Sequence, residues 1–174
     1  MKFLKLSLAS LAVSTALFAG NYNIDASHTN AGFTVKHMMI TNVTGKFNDV
    51  AGSFEFDEKT KTLKSISGEI VTASIDTSNE KRDEHLKSDD LFGVEKFPKI
   101  TFKSTKIEKN KVQGELTIKG VTKAVTLDLE TSDVIKDPWG KQRTGFSLNG
   151  KIKRSDFGIS WNKALETGGV AVSD

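Results

Sequence analysis

The sequence predicts an all-β fold, an antiparallel sheet of about eight strands closed into a small up-and-down barrel. Three segments carry the pattern, because 112–118, 125–129 and 146–152 alternate apolar or Gly residues with polar ones. Side chains of a strand point to opposite faces with period two, so each segment has one wet and one dry face. Short polar links join antiparallel strands. The dry faces must therefore meet a second sheet or the inside of a closed barrel.

The same reasoning, applied from the N-terminal end onward, predicts the remaining strands. We expect strands at 21–26, 31–37, 43–57, 63–75, 99–108, 111–119, 122–134, 142–154 and 169–173. Polar turns at 57–62 and 108–111 separate neighbouring strands, and Pro98 and Pro138 lie at element boundaries. Several of these strands exceed the usual five or six residues. Long strands with short links are typical of a small up-and-down barrel.

One segment breaks the β pattern and predicts a short helix near 78–87. Residues 79–87 are good helix formers and include no β-branched residue. Thr77 and Glu80 fit a capping box, so the helix should begin just after Thr77. Leu86, followed by Leu91 and Phe92, offers the apolar anchor. We interpret the helix as a lid or plug over one end of the barrel.

The first nineteen residues have the layout of a secretory signal peptide. Lys2 and Lys5 precede an apolar segment at 6–18, which is too short to span a membrane, and Ala19 is a small residue before the expected cleavage. We therefore expect an exported, periplasmic protein with a single domain at 20–174. It has no cysteine, so it forms no disulfide and offers no thiolate. Removal of the two lysines lowers the net charge from +3 to about +1, which does not favour nucleic acid as a partner.

Several motifs, in this order along the chain, resemble those of the YceI-like family. They are Tyr22–His28, Phe33–His37, Asn79–Leu86, Phe97–Phe102, Gly114–Thr122 and Arg154–Gly158. The resemblance implies a bacterial, mostly periplasmic protein with a lipocalin-like antiparallel barrel. It also implies that long apolar molecules, polyisoprenoids or fatty-acid-like chains, bind inside the barrel. Members continue past the segment that matches 168–174 into a final strand, so one edge strand is expected to be short or missing here; an incomplete chain is the simpler interpretation.

The dry faces supply the candidate ligand-binding residues of the lumen. They are Phe33, Val35, His37, Phe54, Phe56, Ile70, Phe102, Leu116, Ile118, Leu127, Leu129, Phe146 and Leu148, with Ile66, Ile100 and Val125 on the same faces. Gly114 and Gly150 are expected to leave volume between them. A dry interior would reject sugars, nucleotides and metal ions, whose polar groups would stay unpaired. Alternation alone predicts a filled core as readily as a ligand cavity, and the resemblance favours the cavity.

Polar residues near one mouth are candidates to hold a ligand head group. His37 shares the parity of Phe33 and Val35, and the others are His28, Arg82, Asp83 and His85. A solvated helix face, or an ion pair that caps loops, is the competing interpretation for the helix residues. The histidines lack metal-ligand spacing, so we expect no metal and no cofactor other than a bound lipid.

No catalytic motif of the common hydrolase or nucleotide-binding classes occurs, so we predict a binding protein and not an enzyme. The expected ligand is a long-chain amphiphile, and the membrane is its transient source. Two alternatives stay open: a hydrolase that acts on the bound lipid, and a ligand-free module that docks a membrane redox partner. A homodimer is compatible with the sequence. Trp139, in a turn, and Trp161, on a strand, are interpreted as packing residues at the barrel ends or as the lining of a ligand portal.

Overall fold

The computed structural model describes residues 20–174, and the predicted signal peptide at 1–19 lies outside the described residues. Within 20–174 the chain forms twelve strands and one α-helix, together with three short 3₁₀ turns. The strands are β1 Gly20–Asn23, β2 Ala31–His37, β3 Thr41–Phe47, β4 Val50–Asp57, β5 Thr62–Val71, β6 Ile75–Asp76, β7 Lys99–Glu108, β8 Lys111–Ile118, β9 Val121–Thr131, β10 Ile135–Lys136, β11 Gln142–Arg143 and β12 Phe146–Asn149. The helix α1 is Glu80–Lys87, and the 3₁₀ turns are Ala26–His28, Thr72–Ser74 and Arg154–Phe157. No helix of this part of the chain has the length and apolar character needed to cross a membrane.

A seven-stranded antiparallel sheet in the order β1-β4-β5-β7-β8-β9-β12 dominates the molecule. It curls into a half-barrel, which confirms the predicted all-β class and the antiparallel meander of 99–131. The register pairs Phe102 with Leu116 and Val112 with Leu127, so apolar side chains of neighbouring strands share one face. The period-two pattern is therefore the direct cause of the single dry face.

Two of the long predicted strands, 43–57 and 63–75, are each broken once, which corrects their bounds. The first divides into β3 and β4 at Asn48 and Asp49, and the second divides into β5 and β6 at the Thr72–Ser74 turn. The breaks lie side by side, because the Asn48 amide donates to the Ser74 carbonyl at 3.1 Å and the Val71 amide donates to the Asp49 carbonyl at 3.0 Å. Both strands thus turn the same corner without losing their hydrogen bonds. Beyond it β2, β3 and β6 form a second, three-stranded sheet.

The predicted strands near the C-terminal end are also corrected. Only β12 remains of 142–154 in the main sheet, because Gln142 and Arg143 pair with β10 in a separate hairpin. The predicted strand 169–173 is reduced to isolated bridges, in which Val172 pairs with His37 and Val170 pairs with Ala164. Arg154 accounts for the position of this segment, since its guanidinium donates to carbonyls on both sides, at 3.1 Å to Ser173 and 2.9 Å to Trp161.

The helix is confirmed, but its predicted cap is wrong. Asn79, not Thr77, is the N-cap residue, and its side chain accepts from the Arg82 amide at 3.0 Å. Thr77 is buried instead and donates its hydroxyl to Asp83 at 2.5 Å, which ties the helix to the preceding strand β6. Leu86 packs against the core as predicted, together with the buried Leu91 and the half-buried Phe92.

The core consists of two apolar clusters. The first, cluster A, contains Phe47, Ile75, Leu91, Ile100, Ile118, Phe157 and Ile159 and lies under the helix segment. The second, cluster B, contains Phe54, Phe56, Leu63, Ile66, Val112 and Leu129. Phe157 and Phe56 are the largest side chains that are completely enclosed.

Candidate ligand-binding interior

The predicted lumen residues lie on the less exposed face of their strands, except that both faces of β5 are half-buried at Ile70. The alternation is clean on β2, where Phe33, Val35 and His37 are half-buried between exposed neighbours, and on β9, where Leu127 is half-buried and Leu129 is buried. Most of the set is only half-buried, namely Phe33, Val35, His37, Ile70, Phe102, Leu116, Leu127, Phe146 and Leu148. The dry face is therefore apolar but incompletely covered.

The two clusters divide the predicted lumen residues into different groups. Ile118 is buried within cluster A, and Phe54, Phe56 and Leu129 are buried within cluster B, where they pack as core. Phe33, Ile70, Leu116 and the additional Val125 border cluster A, and Phe102, Phe146 and Leu148 border cluster B. Val35 and Leu127 belong to neither cluster. The residues that border a cluster, together with Val35 and Leu127, form the apolar surface that remains accessible.

Glycines on the dry face do not leave empty volume, which corrects that expectation. A Cβ on Gly114 would lie 2.5 Å from Cζ of Phe102, and one on Gly150 would lie 2.5 Å from Cδ2 of Leu127. Phe33 covers Gly45 in the same way, with Cζ at 2.4 Å from such a Cβ. Each glycine thus admits a large side chain from a neighbouring strand. The local sequence held no signal for this contact, because it depends on pairing between strands.

Buried polar side chains lie at the ends of strands and in turns, where their hydrogen bonds are satisfied. Within 20–174 they are Asp57, Thr72, Thr77 and Asp137, and no buried side-chain nitrogen or oxygen there lacks a partner. The apolar face consequently presents no unpaired buried polar group that a sugar or nucleotide would satisfy. Its chemistry suits an apolar chain.

Arg82 and Asp83, predicted to hold a ligand head, both bond Thr77. Arg82 donates from Nε to the Thr77 hydroxyl and from Nη2 to the Thr77 carbonyl, each at 2.7 Å. Asp83 accepts from the Thr77 amide at 2.9 Å as well as from the hydroxyl. These contacts stabilise the start of the helix. His85 lies edge-on against the ring of Trp161, with centroids 4.7 Å apart, at the margin of cluster A.

His28 belongs to a different group of side chains. Its Nδ1 lies 2.9 Å from Oδ2 of Asp25 and 3.0 Å from the Ser27 hydroxyl, and Arg143 donates to the same carboxylate at 3.1 Å. Hydrogen bonds from Ser27 and His28 hold the pKa of Asp25 well below its usual range. Since the serine and the aspartate contact the same imidazole nitrogen, the group lacks the relay of a catalytic triad. His28 shares no partner with Arg82, Asp83 or His85, so the contacts do not unite all four at one mouth.

Tyr22 is a site residue that the sequence analysis missed. Its ring stacks on Phe54 with centroids 5.2 Å apart, and its hydroxyl donates to Glu58 at 2.7 Å. Burial, reinforced by the Glu58 carboxylate, raises the pKa of Tyr22 to about 12. Tyr22 therefore borders cluster B, and its hydroxyl group stays uncharged. Its period-two relation to Ile24 was the available signal, since both are half-buried neighbours of that cluster.

Trp139 lies outside both clusters and is 81% exposed, so its predicted packing role is wrong. Trp161 packs against cluster A, in agreement with the prediction. Within the described residues no three His, Cys, Asp or Glu side chains are grouped to hold a metal ion. A depression of about 390 Å³ beside the helix is lined by polar and charged residues, among them Asp76, Glu80 and Asp83, and lies away from the apolar face.

Comparison with known sequences gives one family and close relatives. The model of the YceI-like domain matches residues 22–174. A UPF0312 protein of Staphylococcus aureus strain N315 is 43% identical over 151 residues, which are 86% of this chain and 88% of the relative. The corresponding protein of strain MSSA476 is 42% identical over the same length.

Solved structures with the same architecture include three described proteins. The Campylobacter jejuni YCEI protein is 44% identical, with a TM-score of 0.64 over 79% of this chain and 83% of that chain. Burkholderia cenocepacia BcnA is 26% identical, with a TM-score of 0.64 over 79% of this chain and 86% of that chain. A polyisoprenoid binding domain from Saccharophagus degradans is 16% identical, with a TM-score of 0.60 over 82% of this chain and 83% of that chain, a likeness of fold.

Proposed function

The chain belongs to the YceI-like family, and from that premise we propose that it binds a long-chain amphiphile, an isoprenoid or a fatty-acid derivative, on its apolar inner face. One observation carries the proposal: most of the predicted lumen residues are apolar yet only half-buried, and Val35 and Leu127 belong to neither cluster. A solvent-facing apolar surface of this kind is typical of a ligand site. The Saccharophagus degradans domain, which shares the fold, is described as polyisoprenoid binding.

The driving force for such binding is partition of the ligand tail. Each buried methylene contributes about 0.8 kcal/mol, so a tail of roughly twenty carbons supplies about 16 kcal/mol in gross terms. Association costs about 4–15 kcal/mol, so a tail of this length can bind without a strong head-group contact. A short-chain ligand would not, which is why we assign long chains.

We further propose that the protein carries or sequesters this ligand in the periplasm without chemical conversion. The predicted signal peptide at 1–19 supports export. The geometry at Ser27, His28 and Asp25 favours binding over hydrolysis, because one imidazole nitrogen serves both neighbours. His37 shares the half-buried face of Phe33 and Val35 on β2, and we assign any head-group contact to this imidazole.

Native mass spectrometry of residues 20–174, before and after organic extraction, tests the binding function. The probes are palmitic acid and a C20 isoprenoid alcohol, added to extracted protein. We expect Leu127→Asp to abolish uptake, because a charge on the inner face opposes an apolar tail. Thr126→Asp introduces the same charge on the exposed face of the same strand and should leave uptake unchanged.

A second pair of variants guards against a folding defect. Val35→Asp should abolish uptake and Thr34→Asp should not, with circular dichroism confirming that all four variants fold. A folded wild-type protein that takes up neither probe and carries no long-chain species from the cell would refute the proposed function. Equal uptake by the two Asp variants of β9 would refute the assignment of the site to the inner face.

A further inference from the structure

The hairpin formed by β10 and β11 exposes the largest apolar side chain at the surface. It is a two-stranded sheet separate from the other two, and its turn spans 137–141. Trp139 at the turn is 81% exposed, and Ile135 on β10 is 61% exposed. An indole in water without a packing partner is unusual, because aromatic side chains ordinarily bury their surface. We call residues 135–141 the hairpin tip.

The exposure of Trp139 is imposed by the turn beneath it. The Asp137 carboxylate is buried and accepts from the amides of Trp139 at 3.0 Å and Lys141 at 2.8 Å. Its second oxygen accepts from Nε of Arg143 at 2.7 Å. The Asp137 amide donates to the Lys141 carbonyl at 2.8 Å, which closes the turn. The backbone that carries the exposed indole is thus a hydrogen-bonded turn.

All the solvent-exposed charges of the hairpin tip are positive. Its carboxylate, Asp137, is turned inward and neutralised by Arg143. Lys136 and Lys141 are exposed, and Cε of Lys136 lies 3.7 Å from the position that a Cβ on Gly140 would take. The aliphatic stem of Lys136 therefore crosses the turn next to Trp139. An indole, an aliphatic side chain and two ammonium groups project together, with no exposed carboxylate among residues 135–141.

We propose that the hairpin tip docks on an anionic lipid surface, with the indole at the level of the head groups and Lys136 and Lys141 against lipid phosphates. Tryptophan is the residue enriched at membrane interfaces, and neighbouring lysines add attraction to anionic lipid. A protein partner fits less well, because a stable interface buries about 800 Å² on each side and the tip offers one indole and one isoleucine. This surface lies outside the barrel interior, so the inference goes beyond the proposed ligand site and fails or holds separately from it.

Flotation of residues 20–174 with large unilamellar vesicles tests the proposal. Vesicles of phosphatidylcholine with phosphatidylglycerol are compared with phosphatidylcholine alone. We expect binding to the mixed vesicles, a roughly tenfold loss for Trp139→Ala from the lost burial of the indole, and about a fivefold loss for each of Lys136→Gln and Lys141→Gln. Brominated lipid should quench the fluorescence of the wild type but not that of Trp139→Ala, which retains only Trp161.

Matched controls distinguish binding by the hairpin tip from non-specific adsorption to the vesicles. Ile40→Ala removes an isoleucine that is 82% exposed at another place on the surface, and Lys81→Gln makes the same charge change at an exposed lysine of the helix. Both controls should bind like the wild type. Equal weakening in the controls, or no binding to either vesicle by folded protein, overturns the docking surface. Ligand content measured on the same samples reports the lipid-binding function independently, since Trp139 lies away from the inner face.

Discussion

Substitution of Gly114 by alanine is the sharpest test of how the interior is packed. Gly114 on β8 pairs with Ser104 at the irregular part of β7, and the ring of Phe102 lies over it. An added Cβ would lie 2.5 Å from Cζ of Phe102 and 2.7 Å from the carbonyl oxygen of Lys103. Real Cβ atoms do not approach so closely, and the second neighbour is backbone, so relief requires that the strand itself shift.

The expected cost follows from overpacking. We expect Gly114→Ala to lower the free energy of unfolding by about 1–3 kcal/mol. Gly68→Ala on β5 is the matched control, because its Cβ would meet only the Ala51 carbonyl oxygen at 3.8 Å, an ordinary contact. The control should be neutral or stabilise by up to about 1 kcal/mol, since alanine restricts the unfolded chain. The same substitution is thus expected to lower the free energy of unfolding at Gly114 but not at Gly68.

Urea denaturation followed by circular dichroism measures both variants. In a domain of this size about 1 kcal/mol corresponds to roughly 2–4 °C in Tm. Adding Phe102→Leu to Gly114→Ala should recover part of the loss, because the ring accounts for two of the three close contacts. Equal stability of Gly114→Ala and Gly68→Ala would refute the conclusion that Phe102 fills the space over the glycine.

Three further predictions concern the core, the acid response and the C-terminal segment. Phe56→Ala, at a side chain 1% exposed, should cost about 3–5 kcal/mol in urea denaturation; a loss below 1 kcal/mol would contradict the enclosed core. Hydrogen bonds, first from Arg143 and then from the turn amides, lower the pKa of Asp137 in the folded state, so its contribution to stability is present above its ordinary pKa of 3.8 and is lost as pH falls below that value. Tm measured from pH 6 to pH 2.5 should fall less steeply for Asp137→Asn than for the wild type, and equal slopes would contradict this contribution. Arg154→Ala removes donors to four carbonyls, so the Ser173 amide should lose hydrogen-exchange protection. Arg154→Lys should not restore it, because a single ammonium cannot reach all four. Unchanged protection would show that Arg154 does not hold the segment.

The predictions that succeeded depend on interactions close in sequence. Alternation of apolar and polar residues over 99–131 predicted three strands, their order and their dry face, because side-chain direction in a strand depends only on parity. The helix at 80–87 was predicted from propensity and from Leu86. Its cap was not, because Thr77 and Asn79 are both good N-cap residues and the choice depends on Asp83, which captures Thr77.

The predictions that failed depend on contacts between distant segments. The alternation at 43–57 changes phase at Asn48 and Asp49, from apolar odd positions to apolar even ones, and the prediction of a single strand passed over this break. The corner itself is completed by the paired strand, which turns at the same place. Val35 and Leu127 carried the same pattern as Phe54 and Phe56, yet the first pair lies outside both clusters and the second pair is enclosed. The alternation shows which face of the strand a residue lies on. It does not show how far along the barrel axis the residue lies, and that position decides whether it is enclosed.

The sequence by itself determined that this protein is an antiparallel β structure with one apolar face, one short helix and a family-wide set of motifs, because these properties reside in local periodicity and composition. Only the tertiary structure decided which parts of that face are filled and which stay open. Phe102 over Gly114, Leu127 over Gly150 and the buried Asp137 beneath Trp139 are contacts between segments that no local pattern encodes. Packing in three dimensions decides which apolar side chains remain accessible on the inner face and which lie in solvent at the hairpin tip.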